Sequence, residues 1–409
     1  MKHFYLFVFF CISINSTFSQ RTCATYDYNQ KQEVSTYASR LSNRTTANNR
    51  DTVPDEQITV PVVIHVLYNN TTQDISDAQV LSQLLVLNND YGKSNSDIAN
   101  IPAAFSNLAA DVKIKFCLAR TDPQGRSTNG IIRKYTREQV WLADDAMKFS
   151  RSGGDDAWDA SRYLNIWVCN LFGRNLGYSS VPGSDPQKDG VVIQFDVFGT
   201  TGIVRKPFDK GRTATHEIGH WLGLLHLWGD SQCGDDHIDD TPPQKSYNNG
   251  CPSFPHTSNC SINANGDMFM NFMDFTDDAC MHMFTIGQKN KMRSQFSIKG
   301  IRNSFLNSRA CDSSLIVEAG SLPLDTVVKA SLISVYPNPS ANYVILENKN
   351  STELVDKTLK IVNVMGRQVK TIELKSQRNI IPVNDLQPGI YFLKIEGQDK
   401  NITIKFLKL

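Results

Sequence analysis

The chain lacks any internal run of about 18 apolar residues, the length a membrane-spanning helix requires. Neither sign of charge dominates. The 42 Lys and Arg residues face 41 Asp and Glu, which argues against a surface built to wrap nucleic acid or to lie on an anionic membrane. No short-period repeat is evident, and no C-x-x-C pair offers the usual spacing of a zinc cluster. No cysteine follows Cys311, so the C-terminal hundred residues are a different kind of material from the rest. With 40% hydrophobic and only 20% charged residues a packed core is available and wholesale disorder is excluded. A length of 409 residues suggests two or three domains.

Lys2 precedes an apolar run, Phe4 to Ile14, and Ser16, Thr17 and Ser19 follow it. This reads as a secretory signal peptide over 1–19, cleaved near Ser19–Gln20. Export places the remaining cysteines in an oxidising compartment. Cys233, Cys251, Cys260 and Cys280 crowd one segment rich in Asp, Gly, Pro and Asn, which reads as a disulfide-stapled loop. Pairing among Cys117, Cys169 and Cys311 stays open.

Residues 20–56 are polar and without apolar periodicity, and read as an exposed leader or pro-segment. From Ile58 the texture changes. VPVVIHVLY, Val112–Leu118, YLNIWVCNL and GVVIQFDVF read as strands. Ile75–Tyr91, Thr213–Gly223 and Thr285–Phe296 have helical spacing. Strands and helices mix without strict alternation, which predicts an α+β domain over 57–311. Residues 312–330 read as a linker. From 331 to 409, LISVYPNP, NYVILEN, LKIVNVMG, RQVKTIELK, RNIIPV, GIYFLKIEG and NITIKFLKL read as the strands of a small all-β sandwich.

The chemistry concentrates in THEIGHWLGLLH. Residues four apart share a helix face, so His216 and His220 aim at one point, and neutral imidazole suits zinc. Gly223 permits a sharp turn that lets His226 return as a third ligand. Three protein ligands leave one position for water, the arrangement of a catalytic site. Glu217, on the same helical turn, suits a general base that activates this water for peptide-bond hydrolysis.

H-E-x-x-H-x-x-G-x-x-H at His216–His226 resembles the motif of the metzincin metallopeptidases, and NFMDF resembles their Met-turn, with Met273 as its methionine. WLGLLHLWGD, CGDDHIDDTP and NFMDFTDDACMHMFTIGQ together resemble the pappalysin family. That resemblance implies a metzincin catalytic domain, a mixed twisted sheet with an active-site helix. It also implies disulfides Cys233–Cys260 and Cys251–Cys280, and calcium held near Asp236, Asp240 and Thr241, where an exposed acidic turn is the alternative. The family prefers Arg, less often Lys, after the cut bond, and Asp278 occupies the place of the responsible acidic residue. RTCAT resembles a cysteine switch in which the Cys23 thiolate binds zinc in the latent form; a disulfide is the alternative for Cys23. Related enzymes often carry Tyr two residues after the Met-turn methionine, where this chain has Phe275, which lacks the hydroxyl.

VYPNPS, VMGRQV and LQPGIYFLKIEG resemble the type A sorting domain of the type IX secretion system. Together these readings predict a secreted or surface-attached zinc endopeptidase, made as a zymogen, that acts on proteins or peptides and meets the type IX machinery through its C-terminal domain. The alternative is a secreted adhesion or binding protein on a non-catalytic peptidase scaffold.

Overall fold

A computed structural model describes residues 20–31, 55–260, 265–312, 333–336, 340, 342–348, 355–363, 367–395 and 402–408. The signal peptide, most of the linker and residues 32–54 of the leader lie outside these residues. The chain divides into two compact units, Met1–Gly320 and Ser321–Leu409.

The first unit is built on a six-stranded sheet. Its strands are β1 (Ile58–Tyr68), β2 (Ile114–Leu118), β3 (Ile131–Tyr135), β4 (Leu164–Cys169), β5 (Gly177–Ser179) and β6 (Val191–Gln194). The order is β2-β1-β4-β6-β5, with β3 also paired to β1. All neighbours are parallel except the edge strand β5, which is antiparallel to β6. β1 has eleven residues, long enough to pair β2 along Ile58–Val62 and β3 along Ile64–Tyr68. Every residue of β4 and β6 is buried, as expected of parallel strands covered on both faces.

Helix α2 (Asp77–Tyr91) packs against the helix that carries the histidine motif, α3 (Arg212–Trp221). Ser76 caps α2 by accepting from Gln79 N. On this helix Leu81 and Leu85 are exposed, whereas Gln79 and Gln83 are buried. The glutamines are needed there because they satisfy loop backbone. Gln79 Nε2 donates to the carbonyls of Phe195, Phe198 and Ile203, and Gln83 Nε2 donates to Gly211 O, at the start of α3. Tyr91 then donates to Thr215 O, and Thr215 Oγ1 donates to buried Asp90 at 2.7 Å. Desolvation by burial raises Asp90 to about 7 despite the opposing charge of Arg212.

Three disulfides tie this unit: Cys233–Cys260, Cys251–Cys280 and Cys117–Cys311; Cys169 is buried with a free thiol. Helix α4 (Ile286–Ser294) opens with a capping box between Thr285 and Gln288. The second unit carries β7 (Ile333–Tyr336), β8 (Tyr343–Asn348), β9 (Lys357–Asn363), β10 (Gln368–Leu374), β11 (Arg378–Pro382), β12 (Gly389–Ile395) and β13 (Ile402–Lys408), in a four-stranded sheet β10-β9-β12-β13 and a three-stranded sheet β11-β8-β7. Val344, Leu346 and Ile381 of the smaller sheet join Leu359, Ile361, Leu393 and Phe406 of the larger in one apolar cluster. This is the sandwich predicted from the strand spacing.

Candidate metal centre and the segment that covers it

All ten residues of α3 are buried. His216 and His220 stand one turn apart on it. The helix stops at Leu222 and Gly223, where φ is +90°, and Gly223 N donates to His220 O at 2.8 Å. The left-handed turn reverses the chain and brings His226 back to the other two. Beneath them lies Met273. A Cβ placed on Gly219 would stand 2.5 Å from Met273 Sδ, so glycine lets the helix pack closely on that methionine, and any larger residue would have to push its side chain aside. Met273 is held by its backbone N–H, which donates to Asn271 Oδ1, and Asn271 exchanges two side-chain hydrogen bonds with Gln288.

The Nδ1 partners determine the tautomers. His216 Nδ1 donates to Phe272 O at 2.7 Å and His220 Nδ1 to Leu224 O at 2.9 Å. His226 Nδ1 donates to the Asp230 carboxylate. Each Nε2 is therefore left with a lone pair, and the three stand only 3.1–3.2 Å from one another. Bonds of about 2.0–2.1 Å to a tetrahedral zinc ion would set neighbouring nitrogens about 3.3 Å apart. The residues present thus fit zinc. Burial, then the neighbouring imidazoles, push His216 far down and His220 to about 3, so both stay neutral. Rings close the surroundings: Trp228 stacks on His226 at 4.5 Å, and Phe275 packs on His226 at 4.8 Å and on His216 at 5.6 Å. Phe275 is thus a wall of the site rather than a donor.

The leader does not stay exposed as its polarity suggested. Arg21, Thr25, Tyr28 and Asn29 are buried within the first unit, and Asp27 is exposed. The reason is that Arg21, Thr25, Tyr28 and the Asn29 amide nitrogen each find a hydrogen-bond partner, and of these side chains only Asn29 Oδ1 is left without one, so few apolar residues are needed. Cys23 bridges Gly177 in parallel, Ala24 N donates to Gly177 O at 3.1 Å, and Leu176 N donates to Thr22 O at 3.1 Å; the segment extends the sheet beyond edge strand β5. Thr25 begins the short helix α1 (Thr25–Lys31). Cys23 is not in a disulfide. Its Sγ and the ligand nitrogens of His216, His220 and His226 all lie within 4.8 Å of one another, in one cluster. Glu217 Oε2 accepts from Thr25 Oγ1 at 2.8 Å and from the Cys23 thiol at 3.4 Å. Burial raises Glu217 to about 7.

Asp278 lies beside the start of α3. Its Oδ2 accepts from Lys210 N at 2.8 Å and Arg212 N at 3.2 Å, and its Oδ1 is paired with Arg21. The Arg21 guanidinium also donates to Thr276 O and Thr213 Oγ1 and lies over the Phe208 ring. Asp236 Oδ1 accepts from Ile238 N and Thr241 Oγ1. Its Oδ2 is buried with no hydrogen-bond partner, which suits a cation, and burial raises this carboxyl to about 8. Asp240 is engaged elsewhere: its oxygens accept from Thr285 Oγ1 and Gly287 N at the head of α4.

Asp230 was not picked out from the sequence, although it stands four residues after His226. Its φ of +54° is in the left-handed region, a sparsely occupied conformation for a non-glycine residue and a frequent one at functional sites. Burial works against its ionisation, but the adjoining His226 holds it below the usual carboxylate range.

Comparisons with known proteins agree with this geometry. Residues 150–297 match the family described as pregnancy-associated plasma protein-A, and residues 334–408 match a secretion system C-terminal sorting domain. The chain is 33% identical over 258 residues to an extracellular metalloprotease of Verticillium alfalfae, covering 60% of this chain and 80% of that protein. It is 32% identical over 257 residues to extracellular metalloprotease 1 of Coccidioides posadasii, covering 58% and 77%. Among solved structures it resembles mature mirolysin of Tannerella forsythia in complex with a cleaved peptide, with 52% identity, a TM-score of 0.61, and 62% and 97% of the two chains covered. It also resembles a promirolysin variant of the same organism, with 48% identity, a TM-score of 0.66, and 70% and 97% covered.

A carboxylate on the far nitrogen of a ligand imidazole fixes its ring and raises its basicity. Asp230→Ala in the leader-free chain should therefore weaken zinc binding about 10–100-fold in competition with a chromophoric chelator. Unchanged affinity would make Asp230 an ordinary loop residue.

Proposed function

This chain belongs to the pappalysin family of zinc metallopeptidases, and on that premise we propose a division of labour among its residues. The protein is a secreted zinc metalloendopeptidase with a type IX sorting tail. Its intact histidines and Glu217 leave no ground for a non-catalytic scaffold. The observation that supports the finer reading best is the convergence of three Nε2 lone pairs beside Glu217, with Arg21 seated on Asp278 nearby.

His216, His220 and His226 hold the zinc, and Met273 supports them from below. When bound, zinc supplies Lewis-acid polarisation of the scissile carbonyl and acidifies the attacking water. Glu217 accepts the proton of that water and delivers it to the leaving amine. Phe275 offers no hydroxyl, so stabilisation of the oxyanion falls to other groups.

Asp278 receives the Arg or Lys side chain that follows the cut bond. Arg21 shows how well a guanidinium is satisfied there, with the carboxylate, a carbonyl, a hydroxyl and an aromatic face all engaged. The leader thereby confers latency: Cys23 supplies a thiolate at the fourth position, Arg21 fills the specificity pocket and Thr25 engages the base. Calcium is held near Asp236 and Thr241, where the unpartnered carboxylate oxygen supports the reading. Asp240 serves α4 instead.

Three outcomes are expected. Glu217→Ala should keep zinc at one ion per chain by metal analysis yet lose chelator-sensitive cleavage of casein; loss of zinc would reassign Glu217. In the leader-free enzyme, Asp278→Asn should reduce selectivity for Arg over a neutral residue after the cut by about 3 kcal/mol, some hundredfold, in a peptide library. An unchanged library profile would place the pocket elsewhere. Selective removal of calcium with zinc retained should lower the melting temperature, since a ligand of the folded form alone stabilises by mass action. No shift would leave the loop an acidic turn.

A further inference from the structure

The leader makes a second deep contact that latency at the zinc does not require. Tyr28, five residues past Cys23, is buried to 4% exposure. Its hydroxyl donates to Asp145 Oδ2 at 2.8 Å, and its ring lies 4.7 Å from that of Tyr178, the middle residue of β5. Lys148, itself fully buried, sits 5.2 Å from the Tyr28 ring centroid, 5.0 Å from that of Tyr178 and 5.4 Å from that of Trp167. Lys148 Nζ is paired with Asp145 at 2.8 Å and donates to Lys188 O at 2.8 Å. Asp145 has a φ of +68°, an uncommon conformation for a residue with a side chain.

This slot is made by the catalytic unit, not by the leader. Asp145, Lys148, Trp167 and Tyr178 all remain when the leader is removed, and so does the free edge of β5. That edge already takes up extended chain: Gly177 pairs with Cys23 and Ala24, and Ser179 N donates to Thr25 Oγ1. Cys23 lies at the histidines, between Arg21 in sequence on one side and Tyr28 on the other. The leader thus meets Asp278, the histidines and the slot in that order along its sequence.

We infer that the Asp145–Lys148–Tyr178 slot is a substrate subsite for an aromatic, phenol-bearing side chain on the side of the cut bond opposite Asp278, and that Tyr28 occupies it in the latent chain. The inference rests on the peptidase reading above. With Asp278 taking the residue after the cut, the slot takes a residue before it. The chemistry selects tyrosine. The ring buries apolar area against Tyr178 and faces the Lys148 cation, and the phenol satisfies the Asp145 carboxylate. Phenylalanine fills the slot but leaves that acceptor short of one donor, and leucine loses the cation–ring contact as well.

The test uses the secreted enzyme after leader removal and fluorogenic peptides with Arg fixed after the cut. Ala, Leu, Phe and Tyr are placed in turn at each of the four positions before it. At one of those positions, kcat/KM should rank Tyr above Phe above Leu above Ala, with Tyr ahead of Phe by about tenfold or more, the expected worth of a hydrogen bond to a charged acceptor. Asp145→Asn, which keeps shape and replaces a charged acceptor by a neutral one, should narrow the Tyr-to-Phe ratio. A synthetic peptide of residues 20–31 should inhibit the same enzyme, and its Tyr28→Ala form should inhibit about tenfold less. Cleavage at equal rates for all four side chains at every position would overturn the subsite. It would be overturned equally if only the inhibitory peptide responds to Tyr28, which would make the slot an anchor for the leader alone. No cleavage of any peptide would instead sink the peptidase reading, and the subsite with it.

Discussion

Three imidazole lone pairs held 3.1–3.2 Å apart, with no proton among them, are the constraint on which the rest of this molecule depends. Such an arrangement is repulsive until a cation occupies its centre, and so it must be imposed. Each ring is fixed from behind through Nδ1, two by backbone carbonyls and one by Asp230. Met273 seats the helix from below, and the positive φ of Gly223 brings the third ring home. Burial adds to the effect: a desolvated imidazole resists protonation, which keeps the lone pairs available to the metal. The same desolvation lifts Glu217 to about 7 while the leader covers it.

The leader uses the same surroundings in another way. Its burial is polar, with Arg21 on Asp278, Thr25 on Glu217 and Tyr28 on Asp145. A segment anchored by paired polar groups leaves behind sites that water or a substrate can satisfy, whereas an apolar segment would expose a sticky face on departure. The edge of β5 behaves similarly. An unpaired strand edge invites another strand, and here the leader takes that place. Latency and recognition are, on this account, two uses of one cleft.

Much of the catalytic unit is legible in the sequence because it depends on short-range rules. The four-residue spacing of His216 and His220 declares a shared face, Gly223 declares a turn, and the largely apolar run YLNIWVCNL declares a strand. The sandwich strands are legible for the same reason. Other features depend on partners far along the chain and leave little local trace. Gln79 and Gln83 occupy core positions because distant loops need donors, and periodicity favours the leucines beside them. β3 and β5 are short and partly polar, and they exist through the neighbours they pair with. Cys117 and Cys311 are 194 residues apart, beyond any local pattern. The leader was read as exposed because polarity normally means exposure, and the partners of Arg21 and Tyr28 lie more than a hundred residues away.

X-ray absorption at the zinc edge tests the central claim most directly, because it reports the ligands themselves. The intact chain should show one sulfur at about 2.3 Å with three nitrogens at about 2.0–2.1 Å, and removal of the leader should replace the sulfur by an oxygen while the nitrogens stay. A spectrum without sulfur in the intact chain, or one unchanged when the leader is removed, would contradict the assignment of Cys23 to the fourth position.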